Sequence, residues 1–261
     1  MIFLKLLKLI AAILLVLSIT LSSTAATNDT EKINWFFKQR SANERPEIPL
    51  EDVLKGCGAL YIGPDDEKVV YLTFDAGYSN ENVEKTLDVL KSHDIKAAFF
   101  ILPGIIKNSV ATVRRMAEEG HTVCNHTTTH GDMARVSDLT DFKNELEGVK
   151  NLYRERIGKE MSDYFRFPEG SFSKRTLEFC KALNVTPVFW SFAYADWDNG
   201  NQPSPDKAKS KILSSVHNGA VILLHPTSKT NADILDDVIK ELKAQGYSFG
   251  TLDELYSRVC K

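Results

Sequence analysis

Cysteine is scarce and scattered in this chain of 261 residues. Cys57, Cys124, Cys180 and Cys260 form no Cys-x-x-Cys or comparable spacing, which excludes a zinc cage built from thiolates alone. Charge of one sign is equally short. A formal net charge of -3, 26% charged residues and no basic stripe exclude the electrostatic footprint of a nucleic-acid binder. The apolar run Leu9 to Leu21, broken only by Ser18 and Thr20, falls short of the roughly 20 residues that span a bilayer comfortably. Lys5 and Lys8 precede it and Ser23-Thr24-Ala25-Ala26 follow it, the layout of an export signal cleaved near Ala25. Losing those two lysines would move the formal charge from -3 to -5 and leave a mildly acidic chain working outside the cytoplasmic membrane. There its thiols could oxidise. Cys57 and Cys260 could join the two ends of the domain, or the cysteines could stay buried and free, and spacing does not choose.

What the chain does have is the ordinary 43% hydrophobic content of a globular protein and enough length for one large α/β domain. Residues 1–25 read as the leader, 26–62 as an N-terminal wrap whose Trp35-Phe36-Phe37 cluster should pack onto something, and 63–261 as the main body. From Lys68 on, apolar strands alternate with helical patterns. The strand readings are Lys68 to Phe74, Ala97 to Leu102, His121 to Asn125, Tyr164 to Phe167, Val185 to Phe192, Ala220 to Leu224 and Tyr247 to Phe249. Between them Val83, Leu87 and Leu90, then Leu139, Phe142, Leu146, Val149 and Tyr153, and later Ile234, Leu235, Val238, Ile239 and Leu242 keep helical steps. Such alternation implies a parallel sheet with right-handed crossovers, and six or more units predict a closed or nearly closed barrel.

Polar residues fall at the strand ends. Asp75, His126, Arg166, Asp196 and His225 each end or follow a strand reading, so parallel strands would gather them on one rim. His126 and His130, four positions apart, could share one metal ion if the segment turns tightly, with zinc and its neighbours as natural guests. Taken singly, an Asp at a strand end is more often a turn or cap, and a histidine pair more often incidental. The set carries the argument.

That set resembles the polysaccharide deacetylase family, the NodB homology or carbohydrate esterase family 4, over roughly Lys68 to Leu255. Thr73-Phe74-Asp75-Ala76-Gly77, His126 to His130, Arg166 to Gly170, Asp196-Trp197 and Leu223-Leu224-His225 are similar to its five motifs, in order. The resemblance implies a distorted (β/α) barrel of about seven units that removes N-acetyl groups from amino sugars. It implies Asp75 as general base, His225 as general acid, Asp196 as the holder of His225 and Arg166 as the partner of Asp75. A divalent metal, by this resemblance zinc, would sit on His126 and His130. The backbone N–H of Glu169, after Pro168, would meet the oxyanion, Trp197 and Leu223 would shape an apolar slot for the acetyl methyl, and Tyr78 would join the substrate contacts. One position departs from the pattern. Where the family carries a third metal ligand, an Asp, this chain has Ala76, so the metal should be held more weakly.

The first motif, Val188 to Trp197 and the stretch Leu224 to Ala232 look like the muramic δ-lactam branch, whose substrate is N-acetylmuramic acid in spore-cortex peptidoglycan. Arg166 and Lys174 are near enough in sequence to be suspected of meeting an anionic sugar. Two rival readings are an N-acetylglucosamine, chitin or acetylxylan deacetylase and, in a different class, a glycan-binding pseudoenzyme. Peptidoglycan strands are the expected partner, a protein partner is open, and nucleic acid is not expected.

Overall fold

The computed structural model describes residues 29–54 and 56–260. The expected leader lies outside the described residues. Among those described, no helix is long and apolar enough to cross a membrane.

A short strand β1 (Ile33–Asn34) comes first, then β2 (Val69–Ala76), helix α1 (Glu81–Ser92) and β3 (Ala98–Ile101). Helices α2 (Pro103–Asn108) and α3 (Val110–Glu118) lead to β4 (Thr122–Asn125), the long helix α4 (Leu139–Ile157), β5 (Tyr164–Phe165) and β6 (Ser171–Phe172). The chain continues through α5 (Lys174–Ala182), β7 (Thr186–Pro187), α6 (Pro205–Ser215), β8 (Ala220–Leu224), α7 (Lys229–Ala244), β9 (Ser248–Phe249) and α8 (Leu252–Val259). The main sheet runs β7-β5-β4-β3-β2-β8, with β9 on the first residues of β2, and every pairing in it is parallel. A curled parallel sheet wrapped by helices is the expected distorted barrel.

The ring is completed by irregular backbone. Of the strand expected over Val185 to Phe192, only Thr186–Pro187 forms a ladder. Pro187 has no N–H to extend it, and beyond it Val188 meets Leu60 and Phe192 meets Ile222 as isolated bridges. Ser191 fills the break, its hydroxyl accepting the Val221 N–H at 3.0 Å.

Strand β2 explains where the site lies. Val70, Leu72, Phe74 and Ala76 pack into the cluster beneath the helices, with Val83 and Leu87 of α1 and Ile234 and Leu235 of α7. Tyr71, Thr73 and Asp75 face the other way, into the barrel, by the two-residue period of a strand. Tyr71 joins Phe100, Val221 and Leu255 in the inner cluster that closes the barrel below. Asp75 stands above it.

Trp35 does find a core. It is buried, stacks on Phe189 at 4.7 Å and donates its indole N–H to the Trp190 carbonyl at 3.0 Å, while Phe36 stays exposed. Strand β1 pairs antiparallel with β6, so the N-terminal segment clasps the chain just after Gly170. All four cysteines are free thiols, so there is no Cys57–Cys260 bridge, and Cys57, Cys124 and Cys180 are buried while Cys260 is half-buried.

Candidate active site

Asp75, Tyr78, His126, His130, Glu169, Trp190, Tyr194, Trp197, Leu223 and His225 line one cleft of about 620 Å³ at the carboxyl ends of the strands. Arg166 and Asp196 lie directly behind it, 0% and 1% exposed. Four of the five rim residues end or follow strands as expected. Asp196 does not, for it comes after the bridge at Phe192, on a loop.

Arg166 is spent entirely on the protein. Its Nη1 donates to Asp75 Oδ1 at 2.7 Å, Nη2 to Thr73 Oγ1 at 2.8 Å and Nε to the Val188 carbonyl at 3.0 Å, and its Cζ lies 4.0 Å from the Phe100 ring centroid. Fully buried, it has no face left for an anionic sugar. Burial by itself would raise the Asp75 carboxyl, but the Arg166 charge, helped by His126 and His225, holds it below the usual carboxylate range. Asp75 is therefore an ionised acceptor aimed at the cleft.

His225 is tuned the opposite way. Its Nδ1 donates to Asp196 Oδ1 at 2.7 Å and its backbone N–H to Asp196 Oδ2 at 2.8 Å. Burial opposes the imidazolium, yet the Asp196 hydrogen bond and charge, with Asp75 beyond, keep the His225 pKa above its ordinary value. The cleft thus has a proton acceptor on one wall and a proton donor on another.

The histidine pair sits on a tight loop, with Thr127 and His130 both in left-handed backbone at φ 73 and 56. Glu145 of α4 holds that loop, accepting the Thr128 and Thr129 N–H groups, each at 3.0 Å, and the Thr129 hydroxyl at 2.9 Å. Gly148 leaves room for it, since any β-carbon there would strike the Thr128 side chain. Asn125, which with His126 and Thr127 has the Asn-x-Thr pattern of a glycosylation acceptor, is buried and bonded to Leu146 and Thr127. His126 Nδ1 donates to the Arg166 carbonyl at 3.0 Å, which leaves Nε2 with its lone pair. Burial lowers the His126 pKa to about 4, so the ring is neutral, and the His130 ring stands 5.0 Å from it at 77°.

These donors suit an open divalent site in part. Two imidazoles are available, and the nearest carboxylate is Asp75, whose Oδ2 is 3.5 Å from His126 Nε2. Among the described residues no group of three or more His, Cys, Asp and Glu side chains is gathered to hold a metal ion. Ala76, 0% exposed, packs in the apolar layer with Ile101 and Ile105.

Besides Asp196 at a strand end and Arg166 on an anionic sugar, two more expectations fail. Pro168, expected among the substrate contacts, is buried and does not line the cleft. Lys174 borders a separate surface depression with Asp29, Asp138 and Glu178. Conversely, Thr73, Trp190, Tyr194 and Asn231 belong to the site or its support without having been singled out. Thr73 had a signal, since it stands two residues before Asp75 on the same strand face.

Comparison with known proteins agrees with this arrangement. Residues 62–188 match the family model described as "Polysaccharide deacetylase". An uncharacterised 30.6 kDa protein of Geobacillus stearothermophilus is 41% identical, covering 90% of this chain and 89% of that protein. Peptidoglycan-N-acetylmuramic acid deacetylase PdaA of Bacillus subtilis is 39% identical, covering 86% of each chain. The solved structure of B. subtilis PdaA, described as a family 4 carbohydrate esterase, superposes with a TM-score of 0.83 at 37% identity over 87% of this chain and 97% of that one. An acceptor and a donor facing each other at the strand ends of a curled barrel, on a chain this similar to PdaA along nearly its whole length, place the protein in the polysaccharide deacetylase family, hydrolases acting on the amide bond.

Proposed function

We propose that this chain deacetylates N-acetylmuramic acid residues in peptidoglycan, freeing an amine onto which the lactyl carboxyl can close as a lactam in spore cortex. The observation that carries the chemistry is the opposed tuning of Asp75 and His225 across one cleft. The similarity to PdaA supports the substrate.

In this reading Asp75 Oδ2 accepts a proton from the attacking water as its oxygen bonds to the acetyl carbon. Arg166 keeps Asp75 ionised and fixed, and the Glu169 N–H, presented by a left-handed backbone at φ 56, faces the developing oxyanion. His225 Nε2 then delivers its proton to the departing nitrogen as the carbon–nitrogen bond breaks, giving acetate and a free amine. Trp197 and Leu223 enclose the methyl group. A divalent cation held by His126 and His130, zinc by family resemblance, would supply positive charge at the carbonyl oxygen and acidify a water.

Among the described residues that line the cleft there is no Lys or Arg, while Asp75 and Glu169 are acidic, so a lactyl carboxylate would have to lean on His225 and on hydrogen-bond donors. That observation favours, as a second reading, N-acetylglucosamine residues of peptidoglycan. A glycan-binding pseudoenzyme is disfavoured, because binding alone needs neither an acid, a base nor their two orienting partners. Export by the leader at 1–25, a clasp over 26–62 and a catalytic body over 63–261 complete the proposal and would bring the enzyme to the cell envelope. Mass spectrometry of peptidoglycan treated with the purified protein, with and without chelator, tests it. Loss of about 42 Da from muramic residues is the expected result, with about 18 Da more, the water released, wherever the lactyl carboxyl has closed onto the freed amine, and loss confined to glucosamine would replace the substrate.

A further inference from the structure

The donor side of the cleft extends past Asp196 and His225. Asn231, on the first turn of α7, is 3% exposed. Its side-chain nitrogen donates to Asp196 Oδ2 at 2.6 Å and to the His225 carbonyl at 3.2 Å, and its side-chain oxygen accepts the Tyr194 hydroxyl. Two acceptors on one side and a hydroxyl on the other leave the amide one orientation. Tyr194 stays protonated, since burial and then the Asp196 charge push its phenol well upward.

Asp196 therefore accepts three hydrogen bonds, one on Oδ1 from the His225 ring and two on Oδ2, from the His225 backbone and from Asn231. Its carboxylate cannot rotate without breaking the Asn231 bond. We propose that Asn231 is a positioning residue for the proton donor: by pinning Asp196 Oδ2 it keeps Oδ1 on Nδ1 of His225 and leaves Nε2 for the cleft, while Tyr194 sets the amide. The proposal rests on reading His225 as the donor. The charged groups that act on His225 are Asp196 on its loop, Asp75 at the end of β2 and Arg166 after β5. Asn231 acts through the first of these.

Trimming the side chain leaves the start of α7 intact, because the Asn231 backbone N–H is capped by Ser228 Oγ at 3.1 Å. The test titrates the His225 imidazole by NMR in wild type, Asn231→Ala and Tyr194→Phe, and measures kcat and KM on peptidoglycan across pH. Asn231→Ala should lower the His225 pKa, move the alkaline limb of kcat to lower pH and cut kcat about ten- to a hundredfold, the worth of a hydrogen bond to a charged group, with KM nearly unchanged. Tyr194→Phe should do the same more weakly. A folded Asn231→Ala protein whose His225 pKa is unchanged or raised overturns the proposal, and if that variant does not fold, the Tyr194→Phe titration decides by the same criterion. Because the titration does not depend on turnover, a wild type inactive on peptidoglycan would sink the proposed function and leave this inference to be judged on its own.

Discussion

Arg166 reaches Asp75 from 91 positions away in the chain, and Nη1 and Oδ1 meet at 2.7 Å with the guanidinium wholly buried. Neither partner can be removed without stranding the other. The contact serves two ends, keeping the acceptor ionised and closing the barrel interior over Phe100.

Replacing Asp75 by Asn should lower deacetylation by at least about a hundredfold, the scale of a lost general base. It should also lower stability by about 3 kcal/mol, because Arg166 keeps its charge in a buried place without a counterion. Urea unfolding beside an activity assay checks both, and a variant with wild-type turnover removes Asp75 from the role given it.

The pH dependence should carry an alkaline limb set by His225. Its folded pKa is raised, so the protonated donor is fully present at low pH and lost as pH rises through that value. The stability contributed by the His225–Asp196 pair has the same sign, complete below the unfolded pKa of about 6.5 and fading as pH climbs through the folded one. His225→Ala should slow turnover by about a hundredfold and abolish the limb. A limb unchanged in that variant assigns it to another group.

Zinc binding measured by calorimetry should be weak in the wild type and weaker still in His126→Ala and His130→Ala, by about tenfold or more each. Identical isotherms for all three proteins would show that the imidazole pair holds no metal.

Gly170 has φ 66, and a β-carbon there would lie 2.8 Å from the Trp35 Cβ and 3.0 Å from the Trp190 ring. Gly170→Ala should cost about 1–3 kcal/mol through strained backbone and crowding. It should also displace the neighbouring Glu169 N–H and so lower kcat. Thermal unfolding and steady-state kinetics of this one variant test the clasp that Trp35 makes.

Much of this was legible in the residues. The fully apolar run Ala220 to Leu224 is β8, and β2 begins one residue inside its expected start, because β-branched runs bounded by turn residues have few other folds open to them. Asp75, His126, Arg166 and His225 were found because parallel strands put their ends on one rim. Asp196 reaches the same rim by another route, for the strand expected before it shrinks to Thr186–Pro187 and the chain goes on through an isolated bridge at Phe192 and a loop. Lys174 shows the limit of nearness in sequence: the turn at Pro168 to Gly170 and strand β6 carry the chain away from the cleft before α5 begins. Tyr194 and Asn231 are neutral residues whose importance lies in whom they touch, and linear order does not state that.

The irregular backbone beyond Pro187 gives the ring a seam. Between β2 and its neighbours β3 and β8, four and five consecutive pairs bind strand to strand, but here isolated bridges between Leu60 and Val188 and between Phe192 and Ile222 do the joining. Amide hydrogens along this seam should exchange with solvent sooner than those of β2, β3 and β8, whose opening demands that a whole ladder part. Trp190, Tyr194 and Asp196 all ride on the seam or just past it, so the loop that orients His225 should open more readily than the middle of the sheet, which carries both His225 and Asp75 at its strand ends.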